Sequence, residues 1–75
     1  MTVRVFSADK TVSVPYEGTT FEISKTVDGT FNFWAVPLKK GYLLGSYETE
    51  ERARRELWSV IKLGEAGVAI IEVTE

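Results

Sequence analysis

The sequence predicts an α+β domain: an antiparallel sheet of five to six strands with one helix packed on one face, in the order β-β-β-β-β-α-β. Three observations carry this. Apolar and polar residues alternate in short runs, through Val3 and Val5, Val12 and Val14, and Phe21 and Ile23, the period of a half-buried strand. Turn signals, Asp28-Gly29 above all, separate the alternating runs. Ala53, Leu57, Val60 and Ile61 then recur at helical spacing.

Taken in order, Val3 and Val5 alternate with Thr2 and Arg4, Ala8-Asp9-Lys10 forms a turn, and Val12 and Val14 resume the alternation until Pro15 removes a donor. Residues 2–14 therefore read as a hairpin. Tyr16-Glu17-Gly18 is a loop. Residues 20–26 form a strand with Phe21 and Ile23 inward, residues 30–38 a strand rich in aromatics, and residues 42–47 a third, after the turn Lys39-Lys40-Gly41. These make a meander. Thr49 caps a helix whose first turn holds Glu50 and Glu51, where the helix dipole favours negative charge, and Gly64 reads as its stop. Residues 68–73 form the last strand.

Two strands read as apolar on both sides. Phe31, Phe33 and Ala35 point one way from their strand, and Trp34, Val36 and Leu38 the other. Val68 and Ile70 oppose Ala69, Ile71 and Val73 on the last strand. One helix covers one face of a small sheet, so the second face calls for the N-terminal hairpin folded over it or for a second protein chain.

Residues 1–75 make one small domain with a thin core. It has no Cys and no His, so neither a disulfide nor a zinc site is expected to reinforce it. A net charge of −2 argues against strong non-specific nucleic-acid binding. The longest apolar run, residues 67–71, is too short to span a bilayer, and the first residues lack the apolar core of a signal peptide; a cytoplasmic protein is expected.

The residue inventory points away from catalysis. Nucleophilic triads lean on His, which is absent; paired carboxylates are not drawn together by any spacing; no Gly-rich phosphate loop occurs. The expectation is no enzyme, no metal and no cofactor. Binding residues are more legible. Trp34, Val36, Leu38, Tyr42 and Trp58 are the candidate protein-interaction set, for a partner protein or a homodimer. Lys39, Lys40, Arg52 and Arg55 are the candidate phosphate-gripping set. Glu50 and Glu51 stand four residues before Arg54 and Arg55, so ion pairing along the helix accounts for those two arginines without a ligand.

Two resemblances rest on quoted residues. Trp34-Ala35, followed by Leu44-Gly45-Ser46-Tyr47-Glu48-Thr49-Glu50-Glu51 and Ala53, resembles the plant ethylene-response-factor type of DNA-binding domain. That resemblance implies a three-stranded sheet laid in the major groove, reading bases through strand arginines and tryptophans. Here no arginine lies between Phe21 and Tyr47, and Trp34 alone occupies such a position. The whole chain resembles small uncharacterised proteins of Gram-positive bacteria and their phages, through Ser7-Ala8-Asp9-Lys10-Thr11-Val12-Ser13-Val14-Pro15-Tyr16-Glu17 and through Leu44 to Ala53. It implies a phage or mobile-element setting and carries no functional residue across. The expected function is a non-enzymatic interaction module that binds a partner protein or itself through an apolar sheet face or a strand edge. The alternative is DNA binding by the three-stranded sheet and the helix start.

Overall fold

The structure is a computed structural model and describes residues 2–75; Met1, the first residue of the domain read from the sequence, lies outside the described residues. The chain is α+β, with the elements β1 (Arg4–Phe6), β2 (Ser13–Pro15), β3 (Thr20–Lys25), β4 (Phe31–Val36), β5 (Tyr42–Tyr47), α1 (Glu50–Glu65) and β6 (Ile70–Glu72). The element order follows the sequence reading. The sheet does not: the strands form two three-stranded sheets, β2-β1-β6 and β3-β4-β5. In the first, β1 pairs antiparallel with β2 and parallel with β6. The second is the antiparallel meander.

The single sheet fails for a local reason. The β4–β5 register shifts between Phe33 and Trp34, so Leu43 and Leu44 share one step of the ladder and the strand bends. Leu44 then turns inward, 1% exposed, while Leu43 stays outside. At this bend the N-terminal segment meets β5 through one backbone bond, Ala8 N–H to the Leu44 carbonyl at 2.8 Å.

One core joins both sheets and the helix: Val5, Val14, Ile71 and Val73 from the first sheet, Phe33, Ala35, Leu44 and Tyr47 from the meander, and Ala53 and Val60 from α1. The hairpin and β6 therefore pack on the same side of the meander as the helix. They do not fold over its second face. The last strand also departs from the two-sided reading. Ile71 and Val73 are each 1% exposed, but Ile70 is 62% exposed, as a short strand at a sheet edge allows.

Thr49 caps α1 as its extended backbone and short hydroxyl dictate, accepting the Arg52 N–H at 3.2 Å. The helix does not stop at Gly64. It runs to Glu65, and Gly67, at φ 78°, is the left-handed residue that ends it. Gly67 N–H bonds the Gly64 carbonyl and Val68 N–H the Leu63 carbonyl, both at 3.1 Å, which is the Schellman pattern. Gly64 serves a close approach instead. A Cβ there would stand 2.2 Å from the Tyr16 ring, which lies against the helix with its hydroxyl 3.0 Å from the Glu65 carboxylate.

Candidate protein-interaction surface

The β3–β4–β5 registers assign the faces of the meander. Phe21, Ile23, Phe31, Phe33 and Ala35 face the core; Glu22, Ser24, Asn32, Trp34, Val36, Leu43 and Ser46 face away from it. No described element covers this outer face: Trp34, Val36 and Leu43 all lie outside the core and its packed rim. Trp34 is half-buried by its own neighbours, with its indole N–H donating to Ser24 Oγ at 2.8 Å. Beside it, Ser46 Oγ donates to Asn32 Oδ1 at 3.1 Å. The result is a polar strand surface with an indole bonded across to the neighbouring strand and an aliphatic border of Val36 and Leu43.

Of the sequence-named interaction set, Trp34 and Val36 share this face. Leu38 follows the end of β4 and is 91% exposed. Tyr42 is not with them; it pairs with Ala35 and packs against the core rim. Trp58, 67% exposed, stands on the solvent side of α1, so the sheet separates the two tryptophans. Leu43, 43% exposed, is the outer-face residue that the sequence reading missed. Simple alternation from Tyr42 hides it, and Gly45 inside a strand pattern is the signal for a bulge that would have found it.

The cations fall into two groups. Lys39 and Lys40 lie in the β4–β5 turn, where they line a shallow hollow with Pro37, Leu38 and Tyr42, and Lys40 Nζ sits 5.4 Å from the Tyr42 ring centroid. Arg52 and Arg55 lie at the start of α1, beyond the other end of β5, a strand length of about 17 Å away. Arg55 is paired with Glu51 at 2.9 Å and Arg54 with Glu50 at 3.5 Å, the helical pairing that the spacing predicts. The outer face itself carries Glu22 and no cation among the residues named above.

Edges matter as much as faces. The β3–β4 hairpin closes on Thr26 and Thr30, with Thr26 N–H to the Thr30 carbonyl at 2.8 Å and Gly29 N–H to the Thr26 carbonyl at 3.2 Å. Bonded pairs alternate along an antiparallel ladder, so Ser24–Asn32, Glu22–Trp34 and Thr20–Val36 are the next ones. Phe21, Ile23 and Lys25 thus turn their N–H and C=O groups outward, and none of these groups finds a partner among the described residues. On β5 two of the outward groups are occupied: the Leu44 carbonyl accepts Ala8 N–H, and Ser46 N–H donates to the Glu75 carboxylate at 2.6 Å. On β2, Pro15 has no N–H, its carbonyl accepts the Thr19 hydroxyl, and the Ser13 carbonyl accepts the Arg4 guanidinium at 3.1 Å. β6 offers only Ile70 and Glu72 before Thr74 N–H bonds Glu56 at 3.2 Å.

Electrostatic shifts follow local hydrogen bonds and burial. Asp9 is held down at about 2 by the hydroxyls of Ser7 and Thr11 and the Thr11 N–H. Asp28, bonded by Thr26 and Thr30 in the β3–β4 turn, is likewise lowered. Burial, aided by Glu56 and Glu75, raises Tyr47, which keeps its hydroxyl a donor to the Thr74 carbonyl at 2.6 Å. These groups organise turns and termini. Among the described residues no cluster of three or more His, Cys, Asp or Glu is placed to hold a metal ion, and no helix is long and apolar enough to cross a membrane.

Comparison of the chain with protein-family models, with curated proteins and with solved structures finds no match. The functional reading therefore rests on the outer face and the open edge of the meander.

Proposed function

We propose that this protein is a non-enzymatic interaction module of phage or mobile-element type, working in the cytoplasm by binding protein through the outer face and free edge of its meander. The single observation that carries the reading is Trp34. An indole fixed by Ser24, bordered by Val36 and Leu43, and covered by no element among the described residues has the make-up of an interface anchor. A tryptophan held by one hydrogen bond and its neighbours loses little rotamer freedom on docking, which lowers the cost of association. The charge layout favours protein over nucleic acid, because the face carries a carboxylate and the cations divide between the two ends of β5.

The test compares surfaces. Immobilised wild-type protein and the variants Trp34→Ser, Leu43→Lys and Trp58→Ser are presented to lysate of the host cell, and the retained proteins are identified. Trp34→Ser and Leu43→Lys are expected to lose the same retained protein, and Trp58→Ser to keep it. Retention equal in all variants would overturn the reading. A gel shift with duplex DNA at low salt runs beside it, with no shift expected at tens of micromolar.

A further inference from the structure

We infer that the free edge of β3 is a self-pairing edge: two copies of this chain join antiparallel β3 to β3 about a two-fold axis at Ile23. This deepens the reading above, and rests on it, by naming a second copy as one occupant of the meander.

Three observations select that occupant. The first is the open ladder. Phe21, Ile23 and Lys25 present N–H and C=O groups without partners among the described residues, at every second residue, the spacing that an incoming antiparallel strand matches. The second is closure. The far edge of the same sheet is interrupted by the bulge at Leu44 and partly occupied, by Ala8 on the Leu44 carbonyl and Glu75 on the Ser46 N–H, so β3 is the regular open edge and pairing through it gives one six-stranded sheet across two copies. An isologous contact of this kind makes a dimer, not a fibre.

The third is self-complementarity. An axis at Ile23 sets Phe21 opposite Lys25 of the second copy, Glu22 opposite Ser24, and Ile23 opposite itself, keeping both outer faces on the same side. Ser24 Oγ already accepts the Trp34 indole N–H, and its own proton has no acceptor among the described residues; opposite it would stand the Glu22 carboxylate of the second copy. The neighbouring register, centred on Glu22, opposes two carboxylates directly and is disfavoured. The one centred on Ser24 shortens the overlap within β3 (Thr20–Lys25). Charge and length together leave the Ile23 axis.

The experiment reads mass against concentration by sedimentation equilibrium and light scattering on the full chain, from about 1 μM to about 1 mM. The wild-type protein is expected to move from the 8.4 kDa monomer toward twice that mass. Ser24→Glu opposes carboxylates at both symmetric contacts and should raise the dissociation constant about tenfold. Ser24→Lys places a cation opposite each Glu22 and should lower it. Glu22→Lys added to Ser24→Glu should restore association. Both Ser24 variants remove the Oγ that accepts the Trp34 indole N–H, so their opposite directions isolate the cross-copy charge. Circular dichroism confirms folding; should Ser24→Glu not fold, Ser24→Lys still gives the sign. A wild type that stays monomeric throughout, or a dissociation constant indifferent to these charges, overturns the inference. Loss of partner capture on Trp34→Ser is read separately, so the two readings fail separately.

Discussion

The two edges of the meander are made of the same kind of strand and end in opposite states. β5 carries a bulge, buries Leu44, and has two of its outward groups taken, by Ala8 and by Glu75. β3 is regular, keeps Phe21 and Ile23 half-buried on its core side, and leaves the outward groups of Phe21, Ile23 and Lys25 without a partner among the described residues. The difference shows how a thin domain closes a sheet: not with another full strand, but with single groups from segments distant in sequence. Where no such segment arrives, the edge stays available. Neither Pro nor a bulge blocks β3, and among its residues Lys25 and Glu22 are the charges that choose what can pair with it.

The largest effect expected is an asymmetry of stability between the edges. Leu44→Ala empties a site where the bulge, the N-terminal segment and the core meet, and should cost about 2–5 kcal/mol. Ile23→Ala removes a half-buried side chain at the open edge, where the surface can relax, and should cost about 1–2 kcal/mol. Chemical denaturation of both variants at one low protein concentration measures the pair. Equal losses would mean that the open edge is as firmly built as the closed one.

Next comes Gly64→Ala. Tyr16 lies under Gly64 and stacks on Phe21, with ring centroids 5.9 Å apart, so this contact sets where the chain enters β3. A methyl group must push the ring aside, with a loss of about 1–3 kcal/mol. If Gly64 were merely an uncrowded residue inside the helix, Ala would instead raise helix stability by up to about 1 kcal/mol. The sign of the change in denaturation midpoint decides between them, and loss of Tyr16–Phe21 contacts by nuclear magnetic resonance locates the damage at the start of the open edge.

Much of this was legible in the residues. The helix start at Thr49, the Asp28-Gly29 turn, the hairpin of residues 2–14 and the ion pairs of Arg54 and Arg55 follow from local chemistry, which a sequence states directly. Trp34 opposite Phe33 follows from strand alternation. The partition into two sheets was not legible, because it depends on Ala8 meeting Leu44 across 36 residues and on a bulge that shifts alternation by one. Tyr42 and Leu43 exchange faces for that same reason. Gly67 ends the helix in place of Gly64, and the role of Gly64 stays hidden because a close approach by a distant ring leaves no local mark. The Leu44-Gly45-Ser46-Tyr47 run, which carries both resemblances, has a packing explanation: Leu44 fills the core, and a Cβ at Gly45 would stand 2.8 Å from the Tyr47 hydroxyl, on a ring folded over that glycine.

The smallest effect concerns the turn that seals β5. Asp9 accepts the Ser7 hydroxyl at 2.7 Å and the Thr11 hydroxyl at 2.7 Å, holding the loop whose Ala8 N–H reaches Leu44. Those bonds favour the carboxylate and hold it at about 2, below its ordinary 3.8. A group lowered by folding stabilises the fold when ionised, so this contribution is whole above pH 4 and declines as pH falls through about 2. Amide exchange at Ala8, followed from pH 5 downward, should therefore quicken relative to its intrinsic rate as pH falls below about 4 and level off below about 2, while the outward amides of Phe21, Ile23 and Lys25, read at a concentration where the protein is monomeric, should show no such step. Asp9→Asn should show the quickened Ala8 exchange already at pH 5, because a neutral amide accepts the two hydroxyls more weakly. An Ala8 amide indifferent to both acid and Asp9→Asn would mean that the turn holds its place by backbone geometry alone, and that the sealed edge needs no carboxylate to stay sealed.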